Sequence, residues 1–219
     1  MNRRLLSIEI FLILASLAAS IVAYPHLPTE IATHWGMQLQ PDGYSDRSAI
    51  FWLGPGVLCA VALFTRFGPW LSPTRFNVDC FDATWQRLMF LIFSFLSTVF
   101  AIVLWSALGH AFNVSRVLGG AFCLFIVLFA NLLGKIRPNF FLGIRTPWTL
   151  ASERVWIATH RLAAWVVALS GVCGFALVFA GRPQWSPAPF LLAIALSGAY
   201  SLVLYKRLPV EGHSVSANE

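Results

Sequence analysis

Six long apolar runs constrain this chain more than anything else in it. They cover residues 5–24, 49–65, 88–108, 117–133, 162–180 and 190–205, each within or close to the roughly 17–25 residues that a membrane-spanning helix requires. Backbone N–H and C=O groups find no partner in hydrocarbon, so such runs close their hydrogen bonds internally as helices. The predicted fold class is all-α: a polytopic membrane protein with six transmembrane helices. Composition agrees, since only 11% of the 219 residues are charged where a soluble domain carries about 25%. Nineteen Phe and nine Trp suit a protein with aromatic belts at the two bilayer interfaces.

Orientation follows from the basic residues. With the N-terminus inside, the inner segments hold Arg3, Arg4, Arg66, Arg75, Arg87, Lys135, Arg137, Arg145, Arg154, Arg161, Lys206 and Arg207, twelve of the fifteen Lys and Arg. Arg47, Arg116 and Arg182 fall outside. Cytoplasmic segments carry the excess of Lys and Arg, so both termini are predicted to be cytoplasmic. The net charge of +6 then reports orientation and contact with anionic membrane lipids, not direct nucleic-acid binding. The first run is about 20 residues long, whereas the apolar part of a signal peptide is roughly 7–15, so it reads as a retained helix.

Local signals refine the spans. Gly54-Pro55-Gly56 removes a backbone donor and predicts a kink near the outer end of the second. The sixth is predicted to start near Trp185, with Pro187 in its first turn. Small residues four apart, Ala15/Ala19, Ser170/Gly174 and Ala193/Ser197, permit close helix approach and imply packing. Of the cysteines, Cys59, Cys123 and Cys173 lie in apolar runs, and with Cys80 none stands at metal-ligand spacing; they read as packing residues. Glu9 is the acidic residue inside the first span, about one turn from the interface and close enough to snorkel. Two parts are expected: residues 1–70, a helical hairpin with an extracytoplasmic loop at 25–48, and residues 71–219, a four-helix region with a cytoplasmic loop at 134–161.

In the outer loop, Pro28 suits a first helical position, Gly36 a stop and Pro41-Asp42-Gly43 a turn. This predicts a short interfacial helix over 29–35 followed by a tight turn. His26, Glu30 and His34 are spaced i, i+4, i+8, which on one helix would align them for a divalent cation. Pro28 puts His26 ahead of that helix, so the expectation is a surface histidine with Trp35 anchored among headgroups, and no metal.

The inner loop is the longest polar interval and holds the densest set of functional side chains. Gly134-Lys135 ends the fourth span, Pro138 forbids its continuation, and Pro147 starts a new helix that Thr146 or Thr149 caps, with Glu153 in its first turn. If that helix runs straight into the fifth span, Thr149, Glu153, Trp156 and His160 share one face, and Arg154 and Arg161 another. Bland alternatives exist: the arginines as topology determinants, Trp148 and Trp156 as interfacial anchors, His160 as a satisfied bundle histidine. They are weakest for Arg145-Thr146-Pro147-Trp148-Thr149, because orientation alone needs no such specific polar sequence.

This inner segment resembles the signature of the SdpI family, bacterial membrane proteins named for immunity to the sporulation-delaying peptide toxin. The signature runs Pro-Asn-aromatic, Gly-Ile-Arg-Thr-Pro-Trp-Thr-Leu, Ser-Glu, Val-Trp, Thr-His-Arg. Here it is Pro138, Asn139, Phe140, Gly143 through Leu150, Ser152, Glu153, Val155, Trp156, Thr159, His160 and Arg161. The following pair, usually glycine-containing in the family, is Ala163-Ala164. The outer loop resembles a domain of uncharacterised function found near the N-terminus of bacterial membrane proteins, on Leu27, Pro28, Ile31, His34, Trp35, Pro41, Asp42, Gly43, Tyr44 and Arg47, with Ala32 where that pattern has proline and Gly36 and Leu39 between its halves.

The resemblance implies binding and not catalysis. It implies a multi-pass protein of the bacterial cytoplasmic membrane that gives resistance to a membrane-active peptide toxin and, when engaged, holds a cytoplasmic transcriptional repressor at the membrane. No cofactor is expected. The alternative is a small-molecule or ion transporter, or a membrane-embedded enzyme, using Glu9, His34, Glu153 and His160 as acid–base groups. Neither a nucleophile–base pair nor a phosphate loop is recognisable, and these four residues sit on opposite membrane faces.

Overall fold

The computed structural model describes residues 3–36, 40–73, 78 and 81–208; Leu39, Arg75, Cys80 and the polar tail from Pro209 lie outside them. The order is α1 (Arg3–Ala23), β1 (Glu30–Trp35), β2 (Pro41–Asp46), α2 (Val57–Leu71), α3 (Asp82–Ala107), α4 (Val114–Leu133), α5 (Pro147–Ala151), α6 (Glu153–Phe179) and α7 (Ala188–Arg207). Among the described residues six helical segments are long and apolar enough to cross a membrane. The protein is a multi-pass, all-α membrane protein, and six crossings place the start of α1, the α4–α6 connection and the end of α7 at one end.

The helices follow from their sequences. Serines are tolerated in apolar helices because their hydroxyls return to carbonyls three or four residues back: Ser20 to Ser16 at 2.9 Å, Ser170 to Val167 at 2.7 Å, Ser197 to Ala193 at 2.8 Å. Before α2, the residues around Pro55, where the sequence predicts a kink, form a π-helical turn, Trp52–Gly56, which takes up the missing donor. A Cβ at Gly54 would collide with the Phe100 ring, so glycine there lets the π-helical turn rest on α3. In the same way, Cβ atoms at Gly171 and Gly174 would stand 2.6 Å from Val127 and from the Cys123 Sγ; the α4–α6 contact depends on these small residues.

Two element expectations are corrected. Residues 29–35 are not a helix: β1 pairs antiparallel with β2, with irregular register between Ala32 and Trp35. Ile31 is buried with Leu27, Ile50 and Phe100, and burying Ile31 under a cross-strand partner outweighs the helix-start signal of Pro28. The spans are also longer than drawn: α2 continues to Leu71 and α3 begins at Asp82. Trp85 of that added stretch joins Leu88, Met89, Leu133, Ile136, Ile144, Trp156 and Ala163 in the main core.

Candidate functional site

The inner loop is shaped by its own side chains. The Asn139 amide donates to the carbonyls of Arg137 and Leu142, both at 2.9 Å, and its oxygen accepts from the N–H groups of Phe141 at 2.8 Å and Leu142 at 2.7 Å. One buried side chain thus replaces the helix ladder that Pro138 ends. Trp156 donates its indole N–H to the Ile136 carbonyl at 2.8 Å and stacks on His160 with ring centroids 4.2 Å apart.

Ile144 is held from both sides. Its N–H donates to His160 Nε2 at 3.0 Å, and its carbonyl accepts from the Thr149 hydroxyl at 2.8 Å. The remaining nitrogen, His160 Nδ1, lies 2.8 Å from the Trp156 carbonyl, so the hydrogen-bond network assigns the proton to Nδ1. Both ring nitrogens are engaged. Gly143 has φ +109, and a Cβ there would stand 2.3 Å from His160 Nε2; only glycine gives both that backbone conformation and that approach.

Of the two cap candidates Thr146 caps α5: it and Thr149 exchange side-chain and backbone hydrogen bonds in a capping box, with Pro147 in the first turn. Thr146 and the Trp148 indole both meet the Ser201 hydroxyl, tying α5 to α7. The expected continuous helix is broken, however. Ser152 is extended (φ −138, ψ 121) and caps α6, accepting from the Val155 N–H. The break takes Thr149 off the helix that carries Glu153, Trp156 and His160, and Glu153 stands exposed in the first turn of that helix. Thr149, Trp156 and His160 are buried, while Glu153 pairs with Arg137 at 3.6 Å. Thr159 is fully buried with its hydroxyl unpartnered. Arg145, Arg154 and Arg161 are exposed, and the Arg145 guanidinium lies 4.7 Å above the Phe140 ring. The motif divides into an internal set that braces the loop and an outward set of cations.

At the opposite end, the outer-loop residues meet in the hairpin. His34 Nδ1 bonds the Asp42 carboxylate across the strands. Gly43 stands opposite His34, and a Cβ there would lie 2.8 Å from the His34 Cβ. Pro41 pairs with Trp35, Tyr44 is exposed, and Pro28 is an exposed lead-in to β1. Hydrogen bonds from Ser48 hold the Asp46 carboxyl below the ordinary carboxylate range. The alignment of His26, Glu30 and His34 required a helix and is lost with it; among the described residues no three metal-ligating side chains gather.

Glu9 does not snorkel. It is buried, and its carboxylate accepts from Arg66 at 2.7 Å, where Arg66 also donates to the Ala62 carbonyl at 2.8 Å. Sequence reasoning missed this partner because the second span was drawn to end one residue before it. The pair lines a cavity of about 370 Å³ with Thr65, Asp82 and Gln86. Toward the hairpin end, Ala15, Ala19 and Leu58 line an apolar groove of about 530 Å³ with Phe100, Leu104 and Trp105 of α3; Ala15/Ala19 border open space instead of packing.

Residues 135–206 match the SdpI/YfhL protein family. The chain carries an SdpI-family region. Residues 11–58, from α1 through the hairpin to the start of α2, match a domain of unknown function, DUF1648. Beyond the SdpI region itself, the chain is 28% identical over 207 residues to a Bacillus subtilis (strain 168) protein named Immunity protein SdpI, covering 92% of this chain and 96% of that one. No solved structure matches the chain significantly. The protein is thus an SdpI-like multi-pass membrane protein, and the residues of the braced inner loop lie within its family region.

Proposed function

We propose that this protein resides in a bacterial cytoplasmic membrane, with both termini cytoplasmic, and confers resistance to a membrane-active peptide toxin by binding it. The observation that carries the reading is the match to a protein named for immunity, which runs through both the hairpin end and the braced inner loop. The internal geometry supports binding over catalysis. Both nitrogens of His160 and the Thr149 hydroxyl serve the loop backbone, and Glu9 is held by Arg66, so the two buried acid–base candidates, His160 and Glu9, are occupied structurally.

In this reading the chain works as two parts, 1–70 and 71–219, that meet an external input and deliver an internal response. The peptide's apolar segment seats along the groove between α1 and α3, which lies toward the hairpin end and is lined in part by Ala15 and Ala19, spaced for close helix approach. The inner loop, with Arg145, Arg154 and Arg161 outward, is the surface that a cytoplasmic transcriptional repressor would meet. The test is expression in a sensitive bacterium challenged with the sporulation-delaying peptide and with other exported membrane-active peptides. Survival should rise with expression and fall for Ala19→Phe, which fills the groove. Unchanged killing by every peptide at confirmed membrane expression refutes the reading.

A further inference from the structure

The outward side of the inner loop carries a feature that bracing leaves unexplained. Arg145 stacks at 4.7 Å on Phe140, whose ring is 44% exposed. The backbone beneath is pinned on either side of Ile144 and by the four bonds of Asn139. A cation that only sets topology needs a side of the membrane, not a fixed position. None of the ion pairs among the described residues uses Arg145.

A chain of ring contacts ties Phe140 to the spanning helices. Phe64, inside the α2 span, meets Phe141 edge-on at 5.2 Å, and Phe141 meets Phe140 edge-on at 5.4 Å. Phe140 is therefore two ring contacts from a residue of the second span, in the loop that follows the end of α4. On α2 the exposed Phe67, Trp70 and Leu71 mark the same end. Five cations, Lys135, Arg137, Arg145, Arg154 and Arg161, share the loop with one carboxylate, Glu153.

We propose that Phe140 and Arg145 form a binding site for an anionic glycerophospholipid of the cytoplasmic leaflet. The guanidinium takes the phosphodiester through paired N–H···O bonds, and the ring lies against the upper acyl chain. The cation and the exposed ring beside the spans together select a lipid: a soluble anion would use the arginine but gain nothing from the ring. The site stands independently of the peptide-binding reading.

The test measures thermal unfolding of the purified full chain in mixed micelles titrated with phosphatidylglycerol, phosphatidylcholine or inorganic phosphate, with retained lipid counted by native mass spectrometry. Phosphatidylglycerol should stabilise the wild type where the other two do not. Arg145→Gln should raise the half-saturating phosphatidylglycerol concentration about tenfold or more, the loss of a charge-assisted hydrogen bond. Arg145→Lys should raise it less, and Arg182→Gln at the opposite end should leave it unchanged. Melting in phosphatidylcholine checks that each variant is folded. Equal phosphatidylglycerol affinity in wild type and Arg145→Gln overturns the proposal, as does stabilisation by inorganic phosphate matching that by the lipid.

Discussion

Gly143 shows how closely the residues of the inner-loop motif are committed to backbone chemistry. Its φ of +109 and the 2.3 Å that would separate a Cβ from His160 Nε2 leave no room for any other residue. Gly143→Ala should cost on the order of 3 kcal/mol, combining left-handed strain with displacement of the His160 ring, read as a lower unfolding midpoint in detergent. Asn139→Ala should cost about 2–4 kcal/mol by orphaning buried loop groups; a loss near zero would mean that the loop does not depend on that amide. The Thr146 cap and its Pro147 were legible from spacing alone, because a cap acts within one helical turn. The roles of Asn139 and His160 were not, because their partners are backbone atoms placed by the turn of the loop.

At the scale of elements, the hairpin and the Ser152 break are the places where local signals lost. Pro28, Gly36 and the i, i+4 spacing of Glu30 and His34 favoured a helix, but only a strand both buries Ile31 against Leu27, Ile50 and Phe100 and brings His34 to Asp42. The Glu9–Arg66 pair links α1 to α2 at the predicted cytoplasmic end, where α1 has little other packing. Arg66→Met should destabilise by about 3–5 kcal/mol, the usual cost of leaving a buried charge without its partner. The double change Glu9→Leu with Arg66→Met should recover most of that loss. A double variant as unstable as the single one would show that the pair contributes packing and not charge compensation.

For the whole molecule, six crossings make the side of one loop decide the side of all. In a cysteine-free background, Ser48→Cys should react with a membrane-impermeant maleimide on intact cells, and Arg137→Cys only after permeabilisation. The reverse pattern would invert the arrangement of external groove and internal loop on which the proposed function rests. The arrangement itself is uneven. The predicted cytoplasmic half has the main core of α3, α4, α6 and α7 sealed by the inner loop, whereas the hairpin half has a smaller core and an open groove beside α1.

Run length was enough to predict six helices, because hydrocarbon imposes backbone pairing on each run without reference to its neighbours; the basic-residue bias, which acts segment by segment, carries the expectation about orientation. Caps and the Pro55 interruption were equally readable, being events within one turn. Folding in three dimensions was needed to turn 29–35 into a strand, to give Glu9 the cation at Arg66, and to separate the buried Thr149, Trp156 and His160 from the outward Arg145. Each of those outcomes depends on a partner far along the chain, and the free energy of a contact is set by what lies across it, which no local pattern of residues records.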